Sequence, residues 1–119
     1  MSDRAIRRVA ALTGFTGVML GAFGAHFLHG MLEKSGGTLT WQTGVFYHLV
    51  HALMLLVLSG WRPVPRVAYN LILVGVIIFS GSLYTLALTN SKWFGAITPL
   101  GGLLMLAGWL VLALGKQTS

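Results

Sequence analysis

No cysteine occurs in the 119 residues. Disulfides, thiolate metal centres and cysteine nucleophiles are therefore excluded, and the redox state of the compartment leaves no mark on the chain. Acidic residues are nearly as scarce: Asp3 and Glu33 are the only two, and both fall outside the long apolar runs. Carboxylate-driven proton coupling and paired-acid catalysis thus have no residues to use within a membrane. Charge of either sign is thin, at 8% of residues, where a soluble domain carries about a quarter. Prolines number three, and two of them sit together in Pro63-Val64-Pro65, so little interrupts helix formation elsewhere.

What fills the chain instead is apolar sequence, 55% of residues at a mean hydropathy of +0.80. Four runs of about twenty residues, 9–28, 41–59, 67–88 and 97–115, are each long enough to cross the hydrocarbon core as a helix. This predicts an all-α integral membrane four-helix bundle, up-down-up-down, formed by residues 1–119 as a single transmembrane domain. The connectors are short, so sequential helices should be antiparallel neighbours. The first run follows arginines, as a signal peptide would, but is too long for one and lacks a clear cleavage site, so it reads as a retained span.

The net charge of +6 collects at membrane borders and does not point to nucleic acid. Arg4, Arg7 and Arg8 precede the first run, Arg62 and Arg66 lie in the second connector, and Lys116 follows the fourth run. Only Lys34 and Lys92 occupy the other two connectors. The positive-inside bias places both termini in the cytoplasm. Ser2 and Asp3 read as a helix start, Ser35-Gly36-Gly37 as a turn, and Trp61 to Arg66 as a short proline hairpin. Thr98-Pro99 reads as a helix N-cap and first helical residue. A fourth helix starting there would have about 17 residues and rise about 25 Å, marginally short. The alternative is an earlier start, at Trp93, with a kink at Pro99.

Association in lipid requires small residues that let backbones approach. Gly14 and Gly21, Gly44 and His51, Gly75 and Ser82, and Gly101 and Gly108 each recur at seven-residue spacing, which favours left-handed crossings. Gly17 and Gly21 also form GxxxG, flanked by Thr13 and Ala25, suited to packing within the chain or to a homodimer seam.

The ionisable candidates inside the spans are histidines. His26 and His29 close the first run, and His48 and His51 lie in the second. Each pair has i,i+3 spacing, which sets its rings about 60° apart on one face. Ser80, Ser82 and Tyr84 reach a similar depth in the third run, and Thr98 completes a polar set in the outer half. The simplest reading is structural, with His51 bonding Ser82 or a backbone carbonyl. A second makes His26, His48, His51, Ser80, Ser82 and Tyr84 a site for haem, a metal or a quinone-like amphiphile. His26 projects about 140° from the Gly14/Gly21 stripe, which counts against all four histidines converging. Neither serine lies in a nucleophile elbow, and four helices leave little room for a pore.

The run Gly21-Ala22-Phe23-Gly24-Ala25-His26, then Gln42-Thr43-Gly44, Tyr47 and His51-Ala52-Leu53, resembles the YgdD-like family of small membrane proteins. Phe79-Ser80-Gly81-Ser82-Leu83-Tyr84, Thr98-Pro99-Leu100-Gly101-Gly102 and Gly108-Trp109 extend the likeness over almost the whole chain. The family is similar to the eukaryotic transmembrane protein 256 group and is a domain of unknown function. The resemblance implies four membrane helices and the bacterial cytoplasmic (inner) membrane. Its pattern matches at His26, His51, Ser82, Tyr84 and Pro99, while His29 and His48 are less characteristic, and it supplies no reaction or cofactor. The expectation is a non-enzymatic scaffold, assembly or accessory subunit with no cofactor. Membrane lipids are its partners, and a homo-oligomer or a larger membrane complex is open to it.

Overall fold

A computed structural model describes residues 1–115. Lys116, counted above among the cytoplasmic charges, lies outside the described residues. The described chain is helical throughout: α1 (Asp3–Ala25), α2 (His29–Ser35), α3 (Thr38–Ser59), α4 (Arg66–Thr89) and α5 (Trp93–Leu114). The four long helices contain 22 to 24 residues and so rise about 33–36 Å, enough to cross a bilayer. All four are long and apolar enough to do so.

Helix α1 begins at Asp3, one turn and a half before the apolar run, because Ser2 caps it: the Ala5 N–H donates to Ser2 Oγ at 3.1 Å. The Asp3 carboxylate in the first turn also suits the positive helix end. Arg4, Arg7 and Arg8 are thereby helical.

The first connector contains a helix that the sequence reading did not anticipate. Helix α2 is held by burial of Leu32, which packs with Trp41 and Ala87. The Ser35 hydroxyl also donates to the Ala87 carbonyl at 2.7 Å. Gly36 ends α2 at φ +71°, a left-handed conformation open to glycine without strain. The Gly37 N–H then reaches back to the Leu32 carbonyl, at 2.9 Å.

Helix α5 takes the earlier of the two starts considered, with Pro99 inside it. Thr98 is therefore not an N-cap: its hydroxyl donates back to the Phe94 carbonyl at 3.1 Å. The reason is length, since 22 residues span the hydrocarbon and 17 barely do.

Sequential long helices are antiparallel neighbours. Helix α1 packs on α3, α3 on α4 and α4 on α5, whereas α1 and α5 do not approach each other at the backbone. The outer helices of this row each lean on one neighbour, and their free faces carry Leu12, Phe15 and Val18 on α1 and Leu103, Leu106 and Leu110 on α5, all exposed. In water such faces would drive aggregation; in a bilayer they meet acyl chains.

At one end of the bundle Ile6, Ala10, Leu55, Leu58, Tyr69 and Ile72 form a core. There the Tyr69 hydroxyl donates to the Ile6 carbonyl at 2.6 Å. Asp3 meets Arg66 at 2.8 Å and Arg62 at 3.7 Å beside it. Leu112 of α5 packs against the same core. The start of α1, the α3–α4 connector and the end of α5 therefore share one end of the molecule.

The seams follow the small residues. The glycines of α1 face α3: Gly17 lies under Leu49 and His48, Gly21 under Val45, Gly24 under the Trp41 indole, and Gly14 opposite Ala52. Between α3 and α4, Gly44 lies against the Tyr84 ring. The α4–α5 seam is the tightest. A Cβ built on Gly101 would lie 2.7 Å from the Gly75 carbonyl oxygen, and one on Gly75 would lie 2.8 Å from the Met105 backbone nitrogen. Gly108 faces Ile72 and the Ala68 carbonyl. A Cβ on Gly81, by contrast, meets nothing within 4 Å. Gly101→Leu is accordingly expected to destabilise the protein in detergent by about 1–3 kcal/mol through overpacking, with Gly81→Ala close to neutral. Thermal unfolding followed by circular dichroism checks both, and equal effects would contradict the seam.

Candidate functional site

The polar side chains inside the spans bridge neighbouring helices, each bridge set by the register of the helices that carry it. His48 faces α1 and α4 together. Its Nδ1 lies 2.8 Å from the Tyr84 hydroxyl and its Nε2 lies 2.8 Å from the Thr13 carbonyl, with Thr16 Oγ1 at 3.2 Å from Nε2. A carbonyl oxygen can only accept, so Nε2 carries the proton, and Nδ1 of the neutral ring accepts from the Tyr84 O–H. The Tyr84 ring is itself fixed by the Trp41 ring, centroids 4.7 Å apart, and by Gly44, where a side chain would collide with it.

One turn further along α3, His51 takes the opposite tautomer. Its Nδ1 donates to the Tyr47 carbonyl of its own helix at 2.8 Å, and its Nε2 accepts from the Trp109 indole N–H at 3.0 Å. An indole N–H can only donate, so Nε2 of His51 is unprotonated and the ring is neutral. This bond joins α3 to α5 across the groove between them, although those two helices make no close backbone contact.

The sequence predicts that His51 bonds Ser82 or a backbone carbonyl between helices; the carbonyl it meets is that of Tyr47 on its own helix, and its interhelical partner is Trp109. Ser82 does not reach it. The Ser82 hydroxyl instead donates to Thr98 Oγ1 at 2.6 Å, whose own proton goes to the Phe94 carbonyl, and this bond ties α4 to α5. Ser80, buried, donates to the Gly44 carbonyl at 2.8 Å and ties α4 to α3. Trp41 adds a further link, its indole N–H donating to the Leu20 carbonyl of α1 at 3.0 Å.

His48, Tyr84 and Ser80 thus gather at the α3–α4 seam, with His51 one turn away and Ser82 turned to the opposite face of α4. His26 does not join them: it is the exposed C-cap of α1. His29 is exposed on α2, 3.0 Å from Glu33. Among the described residues no group of three or more histidine, aspartate or glutamate side chains is placed to hold a metal ion. A cofactor at His48 or His51 would need a free ring nitrogen, and all four nitrogens already have partners. Every buried side-chain nitrogen and oxygen among the described residues is hydrogen-bonded.

Sequence reasoning missed Thr13, Thr16, Trp41 and Trp109 as partners. Trp109 is 58 residues from His51, and no local pattern connects them. Gly108-Trp109 was visible only as part of a family likeness.

The bridges make a measurable prediction. Trp109→Phe keeps the ring but removes the N–H, stranding the His51 acceptor, and His51→Leu removes the acceptor itself. The two changes should couple by about 0.6–1.7 kcal/mol in a double-mutant cycle of detergent stability. Strictly additive losses would show that the bond contributes nothing.

Comparison with known proteins agrees with this architecture. Residues 20–102 match the family model described as a protein of unknown function (DUF423). A UPF0382 membrane protein of Staphylococcus haemolyticus is 43% identical over 87% of this chain and 88% of its own length. The UPF0382 membrane protein YwdK of Bacillus subtilis is 40% identical over 87% and 89%. The UPF0382 inner membrane protein YgdD of Escherichia coli is 39% identical over 97% and 91%. No solved structure matches. With four membrane-length helices, polar groups closed within the bundle and relatives covering nearly its whole length, the chain belongs to the DUF423 family of multi-pass membrane proteins.

Proposed function

We propose that the protein acts without catalysis, as a membrane-embedded scaffold, assembly factor or accessory subunit of the bacterial cytoplasmic membrane. The observation that carries this reading is the full engagement of His48 and His51. Both rings have each nitrogen engaged: His48 bonds to α4 and α1, and His51 to its own helix and to α5. A catalytic base needs a lone pair turned toward substrate, and a metal or haem ligand needs one turned toward the ion; neither ring has one to offer. The serines support the same view, because Ser80 donates to the Gly44 carbonyl and Ser82 is paired with Thr98, and no in-span carboxylate could orient a base for them.

The orientation follows from charge. The end that gathers the start of α1 and the α3–α4 connector carries Arg4, Arg7, Arg8, Arg62 and Arg66, while the opposite end carries Lys34 and Lys92. The positive-inside rule sets the arginine end in the cytoplasm. The inner-membrane name of the Escherichia coli relative supports the same location.

Gently purified protein should show no stoichiometric Soret band, bound transition metal or extractable quinone, measured by absorbance, metal analysis and mass spectrometry of the organic extract. Any one of these at one equivalent would sink the scaffold reading in favour of a cofactor carrier. For topology, the absence of native cysteine makes single-cysteine probes clean. Lys92→Cys should react with an impermeant maleimide in spheroplasts, and Arg4→Cys only after permeabilisation; the reverse pattern would invert the assignment.

A further inference from the structure

Between α1 and α3, at the end of the bundle roofed by α2, lies an open cleft of about 390 Å³. Its floor is apolar: Gly21 of α1 supplies no side chain, and Val45 and Leu49 of α3 line the other wall. Its rim is polar, formed by His29 of α2 with Thr38 and Gln42 of α3. Gln42 is exposed and sits four residues into α3, about 6 Å below the helix end at 1.5 Å per residue. Its neighbour Thr43 turns its hydroxyl back onto the Leu39 carbonyl, but the Gln42 carboxamide has no hydrogen-bond partner among the described residues. A free amide at that depth faces the border between acyl chains and headgroups, where an ester carbonyl would satisfy it.

From this arrangement we infer that the cleft binds one glycerophospholipid with an ammonium headgroup, drawn from the leaflet at the α2 end. One acyl chain lies on the Gly21–Val45–Leu49 floor. The Gln42 amide donates to an ester carbonyl, and the headgroup ammonium pairs with Glu33. Charge decides the headgroup. Of the two acids in the chain, Asp3 is held by Arg62 and Arg66 at the far end. Glu33 lies 3.0 Å from His29, which lines the cleft, and its side chain is 63% exposed. The volume lies within the range of ligand pockets, about 300–1,000 Å³, and a mostly apolar lining with a few polar groups on one side is the pattern that fits an amphiphile.

Full-length protein in vesicles containing a phosphatidylethanolamine with a diazirine in its acyl chain tests this by photolabelling and peptide mapping. The expected result is label concentrated on residues 21–25 and 42–49. It should fall several-fold in Ala25→Leu, which fills the cleft from an exposed position, and in Gln42→Leu, with helix content by circular dichroism unchanged in both. Label spread evenly over Leu53, Leu103 and Leu106 would mean annular lipid only and would overturn the site. So would labelling that neither substitution alters. Equal labelling by a phosphatidylglycerol probe would overturn the headgroup assignment, and crosslinks through the cleft to a second copy would replace the lipid with a protein occupant. None of these outcomes bears on whether the histidines hold a cofactor, so this site and the scaffold reading stand or fall separately.

Discussion

In hydrocarbon there is no water to take up a hydrogen bond that the protein leaves unmade, and the structure is organised around that constraint. It dictates helices for all four spans, since only a helix satisfies its own backbone within one segment. It also removes the hydrophobic drive that would press helices together in water, so cohesion must come from close backbone approach and from polar bridges. Gly75, Gly101 and Gly108 provide the first. His48, His51, Ser80, Ser82 and Trp41 provide the second, and each finds its partner on a neighbouring helix or on a backbone carbonyl within reach.

A histidine in this setting is easily taken for a ligand site, because imidazole is the commonest metal ligand among side chains. In this structure the chemistry of the partners fixes the proton on each ring. Thr13 offers only an acceptor and Trp109 only a donor, so two rings one turn apart are fixed in opposite tautomers. His51 could not take up a proton in place without losing a bond, because it would set an N–H against the Trp109 N–H.

Much of the architecture was legible in the residues. Span number, helical class and approximate limits follow from run length against bilayer thickness, and Ser2-Asp3 and Gly36-Gly37 announced local geometry through capping and positive φ. Helix α2 was not legible, because seven residues containing Gly30 carry too little periodicity, and its stability comes from Leu32 and Ser35 meeting α4. Thr98-Pro99 imitated an N-cap because that dipeptide fits either a helix start or a proline within a helix, and the choice depends on total length. The histidine partners were legible only as depth. Depth follows from counting residues, but the rotation of one helix against another is set by packing, so Ser82 was matched to His51 when its true neighbour is Thr98.

The bridge between His51 and Trp109 has a bearing on how the protein is made. Trp109 belongs to the last helix to be synthesised, and its partner to the third of five. Until α5 has entered the bilayer and paired with α4 along the glycine seam, His51 waits in lipid with an unanswered lone pair. Closure of that one bond therefore requires the last helix to be in place beside α4.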